Sequence, residues 1–165
     1  FRAAERTFQL LTQVAGRAGR GAEPGRVVIQ TYAPDHYAIR PAASHDYERF
    51  YAEEIAHRQA LGYPPFGRLA LVRVSATDEL AAREAAAALA SLAREASAAH
   101  ASGVEVLGPA EAPIAKLRGR YRQQILLKHR DAGPVWRVAE RVSAAAEKLP
   151  SALRVTVDVN PLDML

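Results

Sequence analysis

The segment GRLALVRVSATDEL (residues 67–80) joins two kinds of secondary structure. Leucine and valine recur at strand spacing along its first eleven residues, which is typical of a β-strand. Asp78 has a side chain that can cap a helix, and alanine-rich sequence follows from about Glu79 to about Ala99. The segment therefore predicts a strand followed directly by a helix. We expect the leucines of this helix to be available for burial: Leu80, Leu89 and Leu92.

Strand and helix patterns continue to the end of the sequence. Strand patterns cover residues 103–114 and 120–130, a helix pattern covers residues 134–149, and a last strand pattern covers residues 153–160. The complete order is βαββαβ, which is that of the split βαβ or ferredoxin-like arrangement, an α+β fold. In this arrangement two helices cover one face of a four-stranded sheet and the other face is open. The first and third strands are central.

The sequence before residue 66 predicts other elements. Helical spacing of apolar residues extends from Phe1 to about Gly19, and PGRVVIQTY (residues 24–32) predicts a turn and then a strand from about Arg26 to Tyr32. Residues 34–65 predict a helical connector that GYPP (residues 62–65) terminates. Its expected apolar stripe is Tyr47, Phe50, Tyr51 and Ile55, and its expected water-exposed residues are Glu53, Glu54, His57 and Arg58.

The composition excludes several classes of protein. The 165 residues include no cysteine, which excludes a disulfide framework and a thiolate metal site, and the five histidines show no close pairing. No apolar run approaches the roughly 18 residues of a membrane span, and residues 1–20 lack the order of a signal peptide. We therefore expect a cytoplasmic protein without a bound metal or a membrane partner. Its length is sufficient for one ordinary hydrophobic core, or for one domain plus a fragment of another.

Positive charge is concentrated in one stretch, although the net charge of +4 is moderate. The stretch contains no acidic residue, and its six cations are Lys116, Arg118, Arg120, Arg122, Lys128 and Arg130. This density indicates an anionic partner. The alternative is a solvated edge strand whose lysines and arginines discourage aggregation.

Alternation along residues 120–130 decides which side chains share a face of the sheet. One set is Arg120, Arg122, Gln124, Leu126, Lys128 and Arg130, and the other is Tyr121, Gln123, Ile125, Leu127 and His129. We assign the first set to the open face. Cations there suit a sugar-phosphate backbone, because their binding to phosphates releases counterions. We therefore expect this strand, with the loop of residues 116–119 before it, to bind DNA.

The stretch QVAGRAGR (residues 13–20) places two arginines between glycines at the end of the first helix. One interpretation is a helix terminus at which Arg17 and Arg20 face the last carbonyls. The order of residues also matches the QxxGRxGR pattern of motif VI in superfamily 2 helicases. That match implies that Arg17 and Arg20 reach the γ-phosphate of ATP between two helicase lobes. It also implies that Gln13 couples this site to DNA.

Segments along the whole sequence resemble the primosomal replication-restart helicase family (primosomal protein N′, PriA). They are FRAAERTFQLLTQVAGRAGRG, PGRVVIQTY, HDYERFYAEEIAHRQALGYPPFGRLALV, LGPAEAPIAKLRGRYRQQILLK and VDVNPLDML. The resemblance implies a 3′ to 5′ DNA helicase that recognises stalled forks and D-loops. It implies that residues 1–33 are the end of a RecA-like second helicase lobe and that residues 34–65 are a helical connector. Residues 66–165 would then form a DNA-binding and docking domain. This last domain is expected to share the fold of a small-subunit ribosomal protein.

Several parts of such a helicase are missing from this sequence. No glycine is followed by lysine, so a Walker A loop is absent, and there is no DExH segment. The zinc-binding cysteines of the family are also absent. We expect a longer protein to bind ATP, magnesium and zinc, and this chain alone to bind none of them and to hydrolyse nothing. The alternative is an architectural or protein-binding domain that packs on the helicase core without contacting DNA.

The helix pattern of residues 134–149 predicts a contact with a protein partner. Val135, Val138 and Val142 form its apolar face, which leaves Arg137 outside and Trp136 at the margin. An aromatic residue beside cations suits an acidic peptide with an apolar end. The family resemblance implies the C-terminal tail of single-stranded DNA-binding protein as this peptide, and other primosome proteins as further partners. The alternative is that Trp136 completes the core.

Overall fold

The computed structural model describes residues 2–18, 26–100 and 102–162, which form two compact units, Phe1–Leu61 and Gly62–Leu165. The first unit contains α1 (Ala3–Ala18), α2 (Arg40–Ala43) and α3 (Tyr47–Leu61). The second unit is an α+β domain. Its elements are β1 (Arg68–Ala76), α4 (Glu79–Ala99), β2 (Glu105–Leu117), β3 (Arg120–His129), α5 (Ala132–Ala146) and β4 (Arg154–Val159).

The four strands form one antiparallel sheet in the order β2-β3-β1-β4. The central strands are therefore β1 and β3, the first and third strands of the domain, as the sequence pattern predicts. Their pairing begins with Arg68 opposite His129 and ends with Ala76 opposite Tyr121. Both the order of elements and the order of strands are compatible with the split βαβ arrangement.

Helices α4 and α5 pack with one face of this sheet to form the main core. The buried face of α4 consists largely of alanines, and that of α5 contains Val135, Val138 and Val142, as expected. The carboxylate of Asp78 caps α4 by accepting a hydrogen bond from the Ala81 N–H at 2.7 Å. The small alanine side chains let the helix backbone lie close to the valines of β1.

The expected burial of the α4 leucines is correct for Leu89 and wrong for Leu80. Leu89 belongs to the core, whereas Leu80 is 63% exposed. The buried face of α4 begins at Ala82, and a residue two positions earlier lies on a different side of the helix. Helical geometry, and not hydrophobicity, therefore decides which leucines the core receives.

The turn between β2 and β3 is shorter than the sequence pattern indicates. β2 continues to Leu117, which pairs with Arg120. The turn consists of Arg118 and Gly119, whose φ angles are 50° and 76°, and positive φ at both residues is characteristic of a type I′ hairpin turn. Lys116 consequently lies in a strand, opposite Tyr121, and the expected loop of residues 116–119 is wrong.

In the first unit, α1 and α3 meet through aromatic side chains. Phe8 of α1 and Phe50 of α3 are both buried, and their rings stack with centroids 4.3 Å apart. Of the apolar stripe expected on α3, however, Tyr47 and Tyr51 are more than half exposed. The apolar stripe expected on α3 is therefore only partly buried.

The strand expected over residues 26–32 is wrong. Residues 26–31 have no regular secondary structure. A strand needs a neighbour that satisfies its backbone N–H and C=O groups, and no described residue of the first unit belongs to a strand. The apolar sequence of this stretch predicts a strand, but the described part of the first unit offers no strand with which it could pair.

A network of charged groups links α1 to α3. The Arg58 guanidinium donates hydrogen bonds to the carboxylates of Glu5 and Glu54, each at 2.7 Å, and the Tyr37 hydroxyl donates to Glu54 at 2.9 Å. The sequence pattern predicts Glu54 in water, but it is only 6% exposed. A buried carboxylate is tolerated here because it has both a cation and a hydroxyl donor.

The pKa values of Glu5 and Tyr37 in this network lie far from their ordinary values. Hydrogen bonding to Arg2 is the main cause that lowers the pKa of Glu5 to about 2, and the hydrogen bond from Arg58 adds to it. Burial raises the pKa of Tyr37 to about 12, and the hydrogen bond to Glu54 adds to this effect. The ionised form of Glu5 is therefore favoured by the folded first unit.

The depressed pKa of Glu5 predicts an acid sensitivity of the first unit. Its contribution to stability is present above the ordinary glutamate pKa of 4.5 and is lost as the pH falls to about 2. We expect Glu5→Gln to remove on the order of 2 kcal/mol from the free energy of opening at pH 7, and much less at pH 2. Amide hydrogen exchange at Phe8 and Phe50 measures this. Glu53→Gln, at a more exposed pair with Arg49, is the control, and equal effects of the two variants would contradict the prediction.

Candidate nucleic-acid interface

The sheet has a second face, opposite the core formed with α4 and α5. Ile125 and Leu127 of β3 belong to that core, so the residues of β3 that alternate with them lie on the other face of the sheet. The alternation assigned from the sequence is therefore correct for β3. We call four cations of the second face the arginine face: Arg73, Arg120, Arg122 and Arg154.

Two members of the arginine face lie outside the basic stretch and were missed by the sequence reasoning. Arg73 is in β1 and Arg154 is in β4. Ser75 of β1 pairs with Arg122 on one side and with Arg154 on the other, so the two arginines flank it on the same face. Alternation in residues 67–77 and 153–160 was the signal that could have identified them.

Arg120 uses its guanidinium within its own domain. It donates to the carbonyl oxygens of Ser75 at 2.7 Å and Ala152 at 2.6 Å, and its Nε lies 3.3 Å from the Ser75 hydroxyl. These bonds tie β3 to the segment before β4. Arg120 therefore keeps its positive charge but has few donors left for a ligand.

Three other cations of the basic stretch are more available. Arg122 donates one long hydrogen bond, 3.4 Å, to the Ile114 carbonyl. Arg118 is exposed in the hairpin turn, and Arg130 is exposed immediately after β3 ends. Arg154, although outside the stretch, is also exposed and makes no hydrogen bond or ion pair with any other residue that the structure describes.

Acidic residues from neighbouring strands reach two cations of this face. Lys128 forms an ion pair with Glu105 of β2 at 2.8 Å, and Arg73 lies 3.7 Å from the carboxylate of Asp158 in β4. The basic stretch itself contains no acidic residues. Strand pairing supplies them from residues distant in sequence, which makes Lys128 less available to an anion than expected.

The second face is not open along its whole length. Leu69 and Leu71 alternate with the helix-facing residues of β1 and so share a face with Arg73, yet both are fully buried. The expectation of a continuously open face is therefore wrong at this end. Of the cations available to a ligand, Arg122 and Arg154 lie at the other end, near the β2–β3 hairpin, whereas Arg130 lies at this end, after β3.

Lys116 takes part in this hairpin. Its ammonium group lies 3.1 Å from the Tyr121 hydroxyl and 4.3 Å from the centre of the Tyr121 ring. A cation over an aromatic ring is attracted by the ring electrons. The contact holds the aliphatic part of the Lys116 side chain against the hairpin, although Lys116 remains exposed.

The described part of the helicase-like motif, residues 13–18, lies at the end of α1. Gln13 and Arg17 are four residues apart, share a side of the helix and are both exposed. Gln13 also lines a hollow of about 470 Å³ between α1 and α3. Arg20 lies outside the described residues.

The residues expected to contact a protein partner lie on α5. Trp136 is 53% exposed, so it does not complete the core. Arg137 is exposed and lines a hollow of about 200 Å³ together with His100 and Arg141. An apolar surface and cations therefore adjoin at the start of α5.

The described residues contain neither a group of metal-ligating side chains nor a helix that could cross a membrane. Within residues 2–18, 26–100 and 102–162, no three histidine, aspartate or glutamate side chains are grouped as metal ligands would be. In the same residues, every helix is too short or too polar to cross a bilayer.

Comparisons with known proteins give consistent results. Residues 59–162 match a family model described as the primosomal protein N C-terminal domain. The chain is 41% identical to replication restart protein PriA of Bacillus subtilis, over all of this chain and 20% of that protein. It is 42% identical to the protein of that name from Synechocystis, over 99% of this chain and 19% of that protein. It is also 42% identical to the one from Treponema pallidum, over 100% of this chain and 24% of that protein. The chain thus spans about a fifth of these relatives.

Proposed function

This chain belongs to the primosomal protein N C-terminal domain family, and on that premise we propose that it acts in replication restart by binding the phosphate backbone of forked and single-stranded DNA. The observation that carries the proposal is the arginine face with its adjoining hairpin. Arg122 and Arg154 flank Ser75 there, with most of their donors uncommitted to described residues. Guanidinium groups bind phosphate oxygens in a bidentate manner.

The proposed setting is a longer 3′ to 5′ helicase. In it, residues 1–33 would end the second helicase lobe, and ATP, magnesium and zinc would be bound by residues outside this chain. Support comes from the motif in residues 13–20 and from relatives that are about five times longer. Other primosome proteins are proposed as further partners.

A second candidate function is architectural. In this alternative the arginine face packs on other domains and never contacts DNA. Two observations favour it: Arg120 is committed to carbonyl groups of its own domain, and Leu69 and Leu71 are buried on the same face. The two candidates differ in their response to salt, because only a complex with phosphates releases many counterions.

A charge-reversal pair separates these candidates. We expect Arg122→Glu with Arg154→Glu to weaken binding of forked DNA about equally for unrelated sequences, and to lower the salt slope by about two, one for each phosphate contact. Fluorescence anisotropy over a series of salt concentrations measures both effects. Arg120 is left intact because its carbonyl bonds make it part of the fold.

The matched control is Lys148→Glu, an exposed cation that follows α5. It changes the net charge by the same amount per substitution but lies away from the arginine face. A salt slope that the double variant leaves unchanged would favour the architectural candidate. A loss per substitution in the control equal to that in the double variant would attribute binding to net charge alone.

For the helicase motif we propose that Arg17 and Arg20 contact the γ-phosphate of ATP in the longer protein and that Gln13 links this contact to DNA. An arginine that stabilises the transferring phosphoryl group accelerates hydrolysis by roughly 10³- to 10⁵-fold. We expect Arg20→Ala in the longer protein to reduce DNA-stimulated ATP hydrolysis by at least about 10³-fold while fork binding persists. Arg40→Ala, an exposed arginine of α2, serves as the control. Unaltered hydrolysis in the Arg20 variant would remove this role.

We also propose that Trp136 and Arg137 bind the acidic C-terminal tail of single-stranded DNA-binding protein. The half-exposed indole offers an apolar surface beside a cation, and Trp136 is the sole tryptophan of the chain. Its emission should therefore shift to shorter wavelength when a peptide of that tail binds. We expect Arg137→Ala to weaken binding roughly tenfold. A peptide with asparagine in place of aspartate is the control, and an identical shift with it would contradict the proposal.

A further inference from the structure

The β2–β3 hairpin exposes two aliphatic side chains among its cations. Ile114 is 43% exposed and Leu117 is 46% exposed. Leu117 pairs with Arg120, and the carbonyl of Ile114 accepts the hydrogen bond from Arg122. We call residues 113–119 the hairpin tip. Apolar surface and guanidinium groups are therefore adjacent there.

The charge around the tip has one sign. From Ala112 to Arg122 the sequence contains four cations and no acidic residue. The preceding acid, Glu111, forms an ion pair with Arg83 of α4 at 2.8 Å. A ligand for the tip must therefore carry negative charge and also offer an apolar surface.

Backbone pairing holds the tip in a defined shape. Lys116 opposite Tyr121 and Leu117 opposite Arg120 close the hairpin next to its turn. Further back, residues 112–115 of β2 lie opposite Arg122 alone, so the regular pairing is interrupted between Glu111 and Lys116. The pairing thus places Leu117 on the same face of the sheet as Arg120, with Lys116 on the opposite face.

DNA offers both features together where its strands separate. In a continuous duplex the base faces are stacked and hidden, but at a branch the terminal base pair exposes one flat apolar face between two phosphate backbones. Aliphatic side chains in DNA-binding proteins use such faces when they insert at base steps. Phosphate binding alone does not distinguish a branch from a duplex.

We propose that the hairpin tip contacts the branch point of forked DNA, with Ile114 and Leu117 inserted as a wedge against the terminal base pair so that this pair partly unstacks. The cations of the tip bind the phosphates of the two separating strands. This inference rests on the proposed DNA-binding function and adds the structural feature of DNA that is recognised. The arginine face supplies affinity, and the aliphatic pair supplies preference for a branch over an unbranched duplex.

The test uses the complete 165-residue chain and a fork with 2-aminopurine in the base pair at the branch. Anisotropy measures binding, and 2-aminopurine emission, which rises when the base unstacks, measures the contact. We expect Ile114→Ser with Leu117→Ser to reduce the emission rise by about half or more, because the apolar wedge is lost. We expect the dissociation constant of this double variant for an unbranched duplex to stay within about threefold of the wild-type value, because the cations remain.

The matched control is Leu107→Ser. Leu107 is 39% exposed, belongs to the same strand and pairs with Leu126, away from the tip. It should keep the full emission rise. Trp136 emission during denaturant unfolding verifies that each variant is folded.

The outcomes distinguish this inference from the function on which it rests. Binding of the fork without an emission rise in the wild type, or an undiminished rise in the double variant, would overturn the branch contact and leave backbone binding intact. Failure of the wild type to bind any DNA would overturn both. A rise lost equally with Leu107→Ser would show that the tip has no special role.

Discussion

The pairing of β1 with β3 is the constraint on which the rest of the domain depends. Because side chains alternate along a strand, this register sends Val72 and Ile125 into the core and Arg73 and Arg122 to the opposite face. A slip of one residue would bury guanidinium groups under the helices and expose the valines. The same register therefore defines the core and places the cations of β1 and β3 on one face, although α4 and β2 separate these two strands in the sequence.

The sequence predicted the elements that depend on local chemistry. Valine alternation located β1, the Asp78 side chain located the start of α4, and the valine spacing of α5 identified its buried face. Predictions failed where distant residues decide. Glu105 is distant from Lys128 in sequence but adjacent in the sheet, and Glu54 is buried because Tyr37 and Arg58 satisfy its carboxylate. Such pairings cannot be recognised before the fold is known.

For the candidate site, the sequence identified a region but not the availability of its charges. Arg120 and Arg122 have equal charge and lie on one face, yet Arg120 donates to the carbonyls of Ser75 and Ala152, whereas Arg122 makes one long bond. A count of cations treats them alike. Their different hydrogen bonds assign Arg120 to the structure of the face and leave Arg122 and Arg154 for a ligand.

Edge strands explain why the hairpin tip is unusual. β2 is an edge of the sheet, and its two register shifts disrupt the backbone pattern that another strand would need. Cations on this edge strand also prevent such pairing, because they repel a second copy of the chain. Exposed aliphatic residues do the opposite, because they favour association, so edge protection accounts for Lys116 and Arg118 but not for Ile114 and Leu117. A ligand that buries apolar surface while binding the cations accounts for all four residues together.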